Sequence, residues 1–501
     1  MRFVPSVRII SGLALGLALL SAIPVHAATF VVPTDANPYW KKQWYLRQIQ
    51  APEAWKALPN TLGEVTVAVI DAGVDITHPD LKDAIWTNPR EVAGNGIDDD
   101  QNGFVDDVHG WNFVKNSNDV RPQEIRNQLE EAWSHGTFVA SLIGARAADH
   151  VGMVGVNQSV KIMPLNALDG DGFGTIPNVL KAIRYAVNQG VSIINLSLAG
   201  FDDSQELDEM IKRARDAGVL VVAATGNGTT QAGRDIDRQP VYPVCFDQQA
   251  NNVVGVSGTD SLDQHAEYAN FGMRCTDLSA PGFDLFGARP SYPRREEGSR
   301  PAERYLEGMT GTSLAAPLVS GVASLLKAVR PDLTAGQLHQ LLTSTTDNIE
   351  GSLKPSEKQK MGTGRLNALK ALQAALAFGK ATTTPSIAAI ASTDASIMAP
   401  TSTEESPAAT SFYYRTPETT IRWLIAPKPL WKTWGIRDNQ PVAAVIVKEK
   451  ENYFLKRWLP VQNKETKDRL VWNAKRKRYV FTDAKTKQTW EIDKAGKVTT
   501  K

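Results

Sequence analysis

Between residues 64 and 330 two kinds of segment alternate, and no other feature narrows the fold as far. The runs "EVTVAVID", "VSIINLSL", "GVLVVAATGN" and "NVVGVSG" are short and rich in β-branched residues, as strands buried on both faces are. Between them, "IPNVLKAIRYAVNQG" and "SQELDEMIKRARDAG" carry apolar residues at helical spacing and close on glycine, as helix C-termini often do. Strand and helix in alternation predict an α/β fold, a mostly parallel sheet with helices on both faces. Such a sheet gathers ligands at the carboxyl ends of its strands, so chemistry is expected there.

Two polar residues stand at those ends. Asp71 closes "EVTVAVID" and Asn227 closes "GVLVVAATGN", and either taken alone reads as a turn or cap residue. His135, in "SHGTFVASLIGA", is expected near the start of a helix. Ser313, in "GTSLAAPLVSG", is expected at the cap of another, with Pro317 in its first turn. Together the four supply what acyl transfer needs: a nucleophile, a base, an acid that orients the base, and a donor for the tetrahedral oxygen. A neutral imidazole is suited to take a proton near neutral pH. The order Asp, His, Asn, Ser occurs once.

The stretches "VAVIDAGVDITHPDL", "HGTFVASLIGA", "IINLSLAG", "VVAATGN", "LSAPG" and "GTSLAAPLVSGVASLL" resemble, in family order, the motifs of subtilisin-like serine proteases, the subtilases. The opening "NPYWKKQWYLRQIQAPEAW" and the closing "GTGRLNALKAL" extend that resemblance over roughly residues 40 to 375. It implies that Asp71 orients the base, that His135 is the general base and then acid, and that Ser313 is the nucleophile. Asn227 and the Ser313 backbone N–H would form the oxyanion hole. It further implies that Leu196, Ser197, Leu198, Ala199 and Gly200, with Ala224, Thr225 and Gly226, line the primary specificity pocket. There a polypeptide substrate would bind in extended form along an exposed edge.

The departures from the family pattern are specific. Ala72 follows the aspartate where a hydroxyl residue is usual, so its side chain cannot bond the Asp71 carboxylate. Phe138 and Leu318 each replace a common histidine, and Ala199 stands where glycine is usual, narrowing the pocket rim.

The rest of the chain sets the context. A basic start, the apolar run "IISGLALGLALLSAI" and the small residues Val25 and Ala27 predict a signal peptide over 1–27, with cleavage after Ala27. The expected organisation is then a protease domain over 28–378, an Ala/Thr/Ser/Pro-rich linker over 379–411, and a β-rich domain over 412–501. No later run is long enough to span a bilayer, so a secreted or periplasmic protein with no transmembrane segment after signal removal is expected. In such a compartment Cys245 and Cys275 could pair, although two buried thiols are an equal alternative. From Ser411 onward the net charge is +12, against −11 before it. The family's usual pro-region is also missing between the cleavage site and "NPYWKKQWYL". Three readings of the tail stay open: docking on the acidic protease domain, binding an anionic surface polymer, or no charge-driven partner. Docking would weaken with salt.

No cofactor is expected for the chemistry. In "GNGIDDDQNGFVDD", Asp98, Asp100 and Asn102 have one-three-five spacing, with Phe104 and Asp106 at seven and nine. His109 at the twelfth position excludes an EF-hand. A structural calcium loop and a plain polar turn both remain. The expectation is therefore a secreted serine endopeptidase. Its rivals are an inactive subtilase-fold binding protein and a self-processing protease whose basic domain carries the main function.

Overall fold

The computed structural model describes residues 39–379 apart from 124–129, 147–151, 229–232, 247–252 and 291–303, a few positions between 25 and 37, and strand backbones between 443 and 500. Most of the expected leader, the linker from 380, and the tail up to 442 lie outside the described residues.

Strand β1 (Val25–Ala27) is followed by helices α1 (Trp44–Gln48) and α2 (Ala51–Lys56), and then by β2 (Thr61–Gly63), which pairs antiparallel with β1. A cut after Ala27 would remove β1. The main sheet is built from β3 (Thr66–Asp71), β4 (Trp111–Asn112), β5 (Lys161–Asn166), β6 (Ile193–Leu196), β7 (Leu220–Ala224), β8 (Val253–Thr259) and β9 (Leu278–Pro281). Its order is β4-β5-β3-β6-β7-β8-β9, and every neighbouring pair is parallel. All seven carboxyl ends therefore lie along one edge.

Helices cover both faces, and the strand residues alternate between two cores. Val67, Val69, Val222 and Val254 face α3 (Glu130–Gly144), α6 (Thr312–Val329), α7 (Ala335–Ser344) and α8 (Ala368–Ala377). Ala68, Ile70, Val221 and Ala223 face α4 (Ile176–Asn188) and α5 (Gln205–Asp216). The period of two, read as a buried strand pattern, is thus resolved into two packed layers. Local chemistry sets the helix ends: the Thr175 and Ser204 side chains cap α4 and α5, and Gly190 and Gly218 follow them at positive φ.

Helix α6 departs from the amphipathic pattern, being buried on all sides. Against the expectation that no later run is long enough to span a bilayer, it is long and apolar enough to cross one, and it lies inside the core. Pro317 sits inside this helix, not in its first turn. Ahead of α6 comes a hairpin of β10 (Leu285–Ala288) and β11 (Tyr305–Met309). Phe138, where the family pattern has a second histidine, is fully buried against that hairpin. Asn367 caps α8 and donates to Gln50 Oε1, and the Ala368 N–H donates to the Ile49 carbonyl, so the two ends of the body meet.

A disulfide joins Cys245 and Cys275. Strands β12 (Ala443–Glu449), β13 (Asn452–Leu459), β14 (Lys464–Asn473), β15 (Arg478–Thr482), β16 (Thr489–Ile492) and β17 (Val498–Thr500) pair in sequence order as an antiparallel six-stranded sheet.

A side chain at Gly287 would put its Cβ 2.6 Å from the Phe138 ring. Gly287→Ala is therefore expected to destabilise the fold by about 1–3 kcal/mol in denaturant titration, the usual cost of overpacking a core. The shift should be largely recovered by adding Phe138→Leu.

Candidate active site

The sheet edge gathers the sequence candidates in two groups. In the first, the Asp71 carboxylate at the end of β3 faces Nδ1 of His135, with Oδ2 at 2.9 Å and Oδ1 at 3.0 Å. Both residues are almost fully buried. The described stretch of α3 starts at Glu130, which puts His135 in its second turn or later. Gly136 lets this turn approach β3: a Cβ there would lie 2.3 Å from the Gly73 carbonyl oxygen and 3.0 Å from Asp71. The hydroxyl missing at Ala72 is replaced by its own backbone, whose N–H donates to Asp71 Oδ1 at 2.8 Å. A carboxylate on Nδ1 fixes the ring with its other nitrogen able to take a proton. Among the described residues, the buried Nε2 has no hydrogen-bond partner, and it is not bonded to Ser313 Oγ.

The second group surrounds Ser313. Gly311 is the cap residue of α6 and makes no side-chain cap bond, so Ser313 is the second residue of the helix and not its cap. Its backbone N–H belongs to the unpaired first turn, where the helix macrodipole favours negative charge. Asn227 Oδ1 accepts from the Thr312 N–H at 3.0 Å and the Thr312 hydroxyl at 3.1 Å. With its oxygen committed, the amide presents Nδ2 as a donor. A Cβ on Gly311 would lie 2.9 Å from Ser313 Oγ and 3.5 Å from Asn227 Nδ2, so the glycine keeps open a space bordered by both groups. Thr312 was missed in the sequence, although it is a hydroxyl residue adjoining the nucleophile candidate.

The eight expected pocket residues run side by side, because β6 and β7 are parallel neighbours with Leu196 opposite Ala223. Leu196, Ser197, Leu198, Gly200, Ala224 and Thr225 are buried, while Ala199 and Gly226 are half-buried. A Cβ on Gly226 would lie 3.0 Å from the Ala199 methyl, so the two expected pocket segments adjoin there. The hydroxyls are already engaged: Thr225 donates to the Asn270 carbonyl at 2.9 Å and Ser197 to the Ser313 carbonyl at 2.6 Å. Asn270, also missed, returns a bond to the Thr225 carbonyl and accepts from the Arg234 N–H.

The acidic loop gathers differently from its spacing. Asp98 accepts from the Asn102 and Gly103 N–H groups, and Asp106 from those of Gly94, Asn95 and Gly96. Nearby backbone donors thus take both carboxylates. The Phe104 ring packs against Trp111, Phe113 and Tyr185. The carboxylates that converge are Asp100, Glu91 and Asp107, whose oxygens lie within 4.8 Å of one another. Asn102 donates to Asp107, and Arg90 pairs with Asp100. Burial, then the neighbouring Asp107 and Asp100, raises the Glu91 carboxyl above its ordinary range. Among the described residues, the buried Glu91 Oε2 has no hydrogen-bond partner. A dry, unbonded carboxylate oxygen beside two more carboxylates fits a hard cation with oxygen ligands.

The family model described as "Subtilase family" matches residues 63–366. Subtilisin-like protease 1 of Plasmodium berghei is 32% identical over 354 residues, covering 67% of this chain and 54% of its own length. The chain thus spans about half the length of that relative. Thermitase of Thermoactinomyces vulgaris is 30% identical over 341 residues, covering 68% of this chain and 99% of its own. A solved protease structure from Pseudoalteromonas arctica aligns with a TM-score of 0.52 at 24% identity, over 68% of this chain and 98% of that one, a likeness of fold alone.

Gly311→Ala tests the open space beside Ser313. Its φ of 167° is extended backbone, so only the added methyl matters. The variant is expected to keep its circular dichroism spectrum and lose most of its reactivity toward a serine-directed fluorophosphonate.

Proposed function

Because the chain belongs to the subtilase family, whose members are serine peptidases, we propose that it is an endopeptidase cleaving polypeptides through an acyl-enzyme on Ser313. The observation that carries this reading is the buried Asp71–His135 contact, with Nε2 left unbonded. In the proposed reaction, Ser313 Oγ attacks the scissile carbonyl as its proton passes to His135 Nε2. The negative oxygen accepts from Asn227 Nδ2 and the Ser313 N–H, and Asp71 stabilises the imidazolium. That imidazolium then protonates the departing amine as the C–N bond breaks. Water, deprotonated by the same nitrogen, attacks the acyl carbon, and the imidazolium returns the proton to Ser313 Oγ as the ester C–O bond breaks. The unmade Nε2–Oγ hydrogen bond is compatible with this, since catalytic hydrogen bonds often tighten only when substrate is bound.

Two finer readings accompany it. The disulfide supports folding in an oxidising compartment, in keeping with a secreted or periplasmic protein. We also infer that Glu91, Asp100 and Asp107 hold a structural calcium ion, with no part in the chemistry.

Purified protein is expected to hydrolyse casein, to lose that activity on Ser313→Ala, and to label with a fluorophosphonate at Ser313 only. Asn227→Ala should lower kcat by about 10²–10³-fold, as removal of one oxyanion donor does. A folded protein that neither cleaves casein nor labels at Ser313 overturns the reading.

Calcium should raise Tm, stabilising the protein by about 2.7 kcal/mol at about 100 times Kd. Asp100→Ala should abolish that gain, whereas Asp98→Ala should leave an ion-dependent gain in place.

A further inference from the structure

We infer that Asn195, Ser197 and Ser320 are positioning residues for the nucleophile, forming a chain of hydrogen bonds that holds the backbone of Ser313. The inference rests on Ser313 being the nucleophile. It starts from a missing donor. In an α-helix the carbonyl of Ser313 would accept from the N–H four residues on, and that residue is Pro317, which has none. A buried carbonyl without a partner is costly, so another donor is required.

The Ser197 hydroxyl supplies it, donating to the Ser313 carbonyl at 2.6 Å. Ser197 Oγ in turn accepts from Asn195 Nδ2 at 2.9 Å, and Asn195 Oδ1 accepts from Ser320 Oγ at 2.8 Å. Every donor points the same way. Ser197 has one hydroxyl proton, and it is free for Ser313 only because Asn195 donates to Ser197. Asn195 keeps that orientation because Ser320 donates to its oxygen. Bonds in one direction inside a low-dielectric core polarise and strengthen one another. All four residues are buried, with Asn195 and Ser320 at 0% exposure.

The chain leaves α6 at Ser320, crosses to the end of β6, and returns to the first turn of α6. It therefore ties the turn carrying Oγ and the candidate oxyanion N–H to the rigid sheet edge. Their polar groups are engaged within the chain, so their effect is on placement. Small displacements of a nucleophile are expensive, reaching about 10²-fold for about 1 Å.

The test compares purified full-length wild type with Ser197→Ala, Ser320→Ala, the double variant, and Pro317→Ala with and without Ser197→Ala. Each single hydroxyl deletion is expected to lower kcat by about tenfold or more at unchanged KM. Fluorophosphonate labelling should slow in proportion. The double variant should fall no further than Ser197→Ala, because the two act through one chain. In the Pro317→Ala background the restored N–H serves the same carbonyl, so Ser197→Ala should cost much less there. Losses that multiply in the double variant, or variants that lose Tm while keeping kcat, overturn the inference. If wild type neither cleaves nor labels, the peptidase reading fails, and hydrogen exchange still decides this one. Faster exchange at residues 314–316 in Ser320→Ala supports it, and unchanged exchange overturns it.

Discussion

Helix α6 is buried along almost its whole length, so every polar group it carries must be bonded inside the protein. That constraint organises the rest of the body. Ser324 bonds the Gly321 carbonyl and accepts from Asn157, Ser320 bonds Asn195, the Thr312 N–H and hydroxyl bond Asn227, and the Ser313 carbonyl takes Ser197. Apart from Gly321 in the helix itself, the partners come from the loop before β5, the end of β6 and the loop after β7. The core helix is thereby fixed in rotation and in height, and the sheet edge is fixed to it. A helix held only by apolar packing could slide or turn by a fraction of a residue at modest cost. One held by these bonds leaves a buried donor or acceptor orphaned if it moves.

Much of this was legible in the sequence. The alternation of β-branched runs with helical spacings is local information, and it gave the parallel sheet, its two covered faces and the line of strand ends. Asp71 and Asn227 were visible because a polar residue ending an apolar run is conspicuous. The partners of those residues were not visible. Thr312, Asn195 and Ser320 acquire their roles only when segments 85 to 125 residues apart meet. Ala72 looked like a loss because side chains are what a sequence displays, whereas the bond to Asp71 comes from its backbone. In the acidic loop the spacing pointed to Asp98 and Asp106. Backbone donors 4 to 12 residues away claim those carboxylates, and Glu91 and Asp107 join Asp100 from outside the expected pattern.

Pro317 shows how a residue can be correctly tolerated for an incomplete reason. A proline near a helix start is easy to accommodate, and its position deeper in α6 removes one hydrogen bond from the ladder. The carbonyl so released belongs to Ser313. Ser197, just beyond the end of β6, supplies the substitute donor.

The same bonds bear on the order in which a growing chain can complete itself. Asn157 and Asn195 sit in segments made early, yet their hydroxyl partners on α6 follow 167 and 125 residues later. Until those partners emerge, the sheet, all seven of whose strands precede α6 in the chain, would have to bury unpaired amides or stay open. Contacts this distant along the chain slow folding and lengthen the exposure of unpaired edges. For a chain made from its N-terminus, the central helix acts as a late keystone: the sheet cannot close dry before the turn that bears Ser313 has arrived.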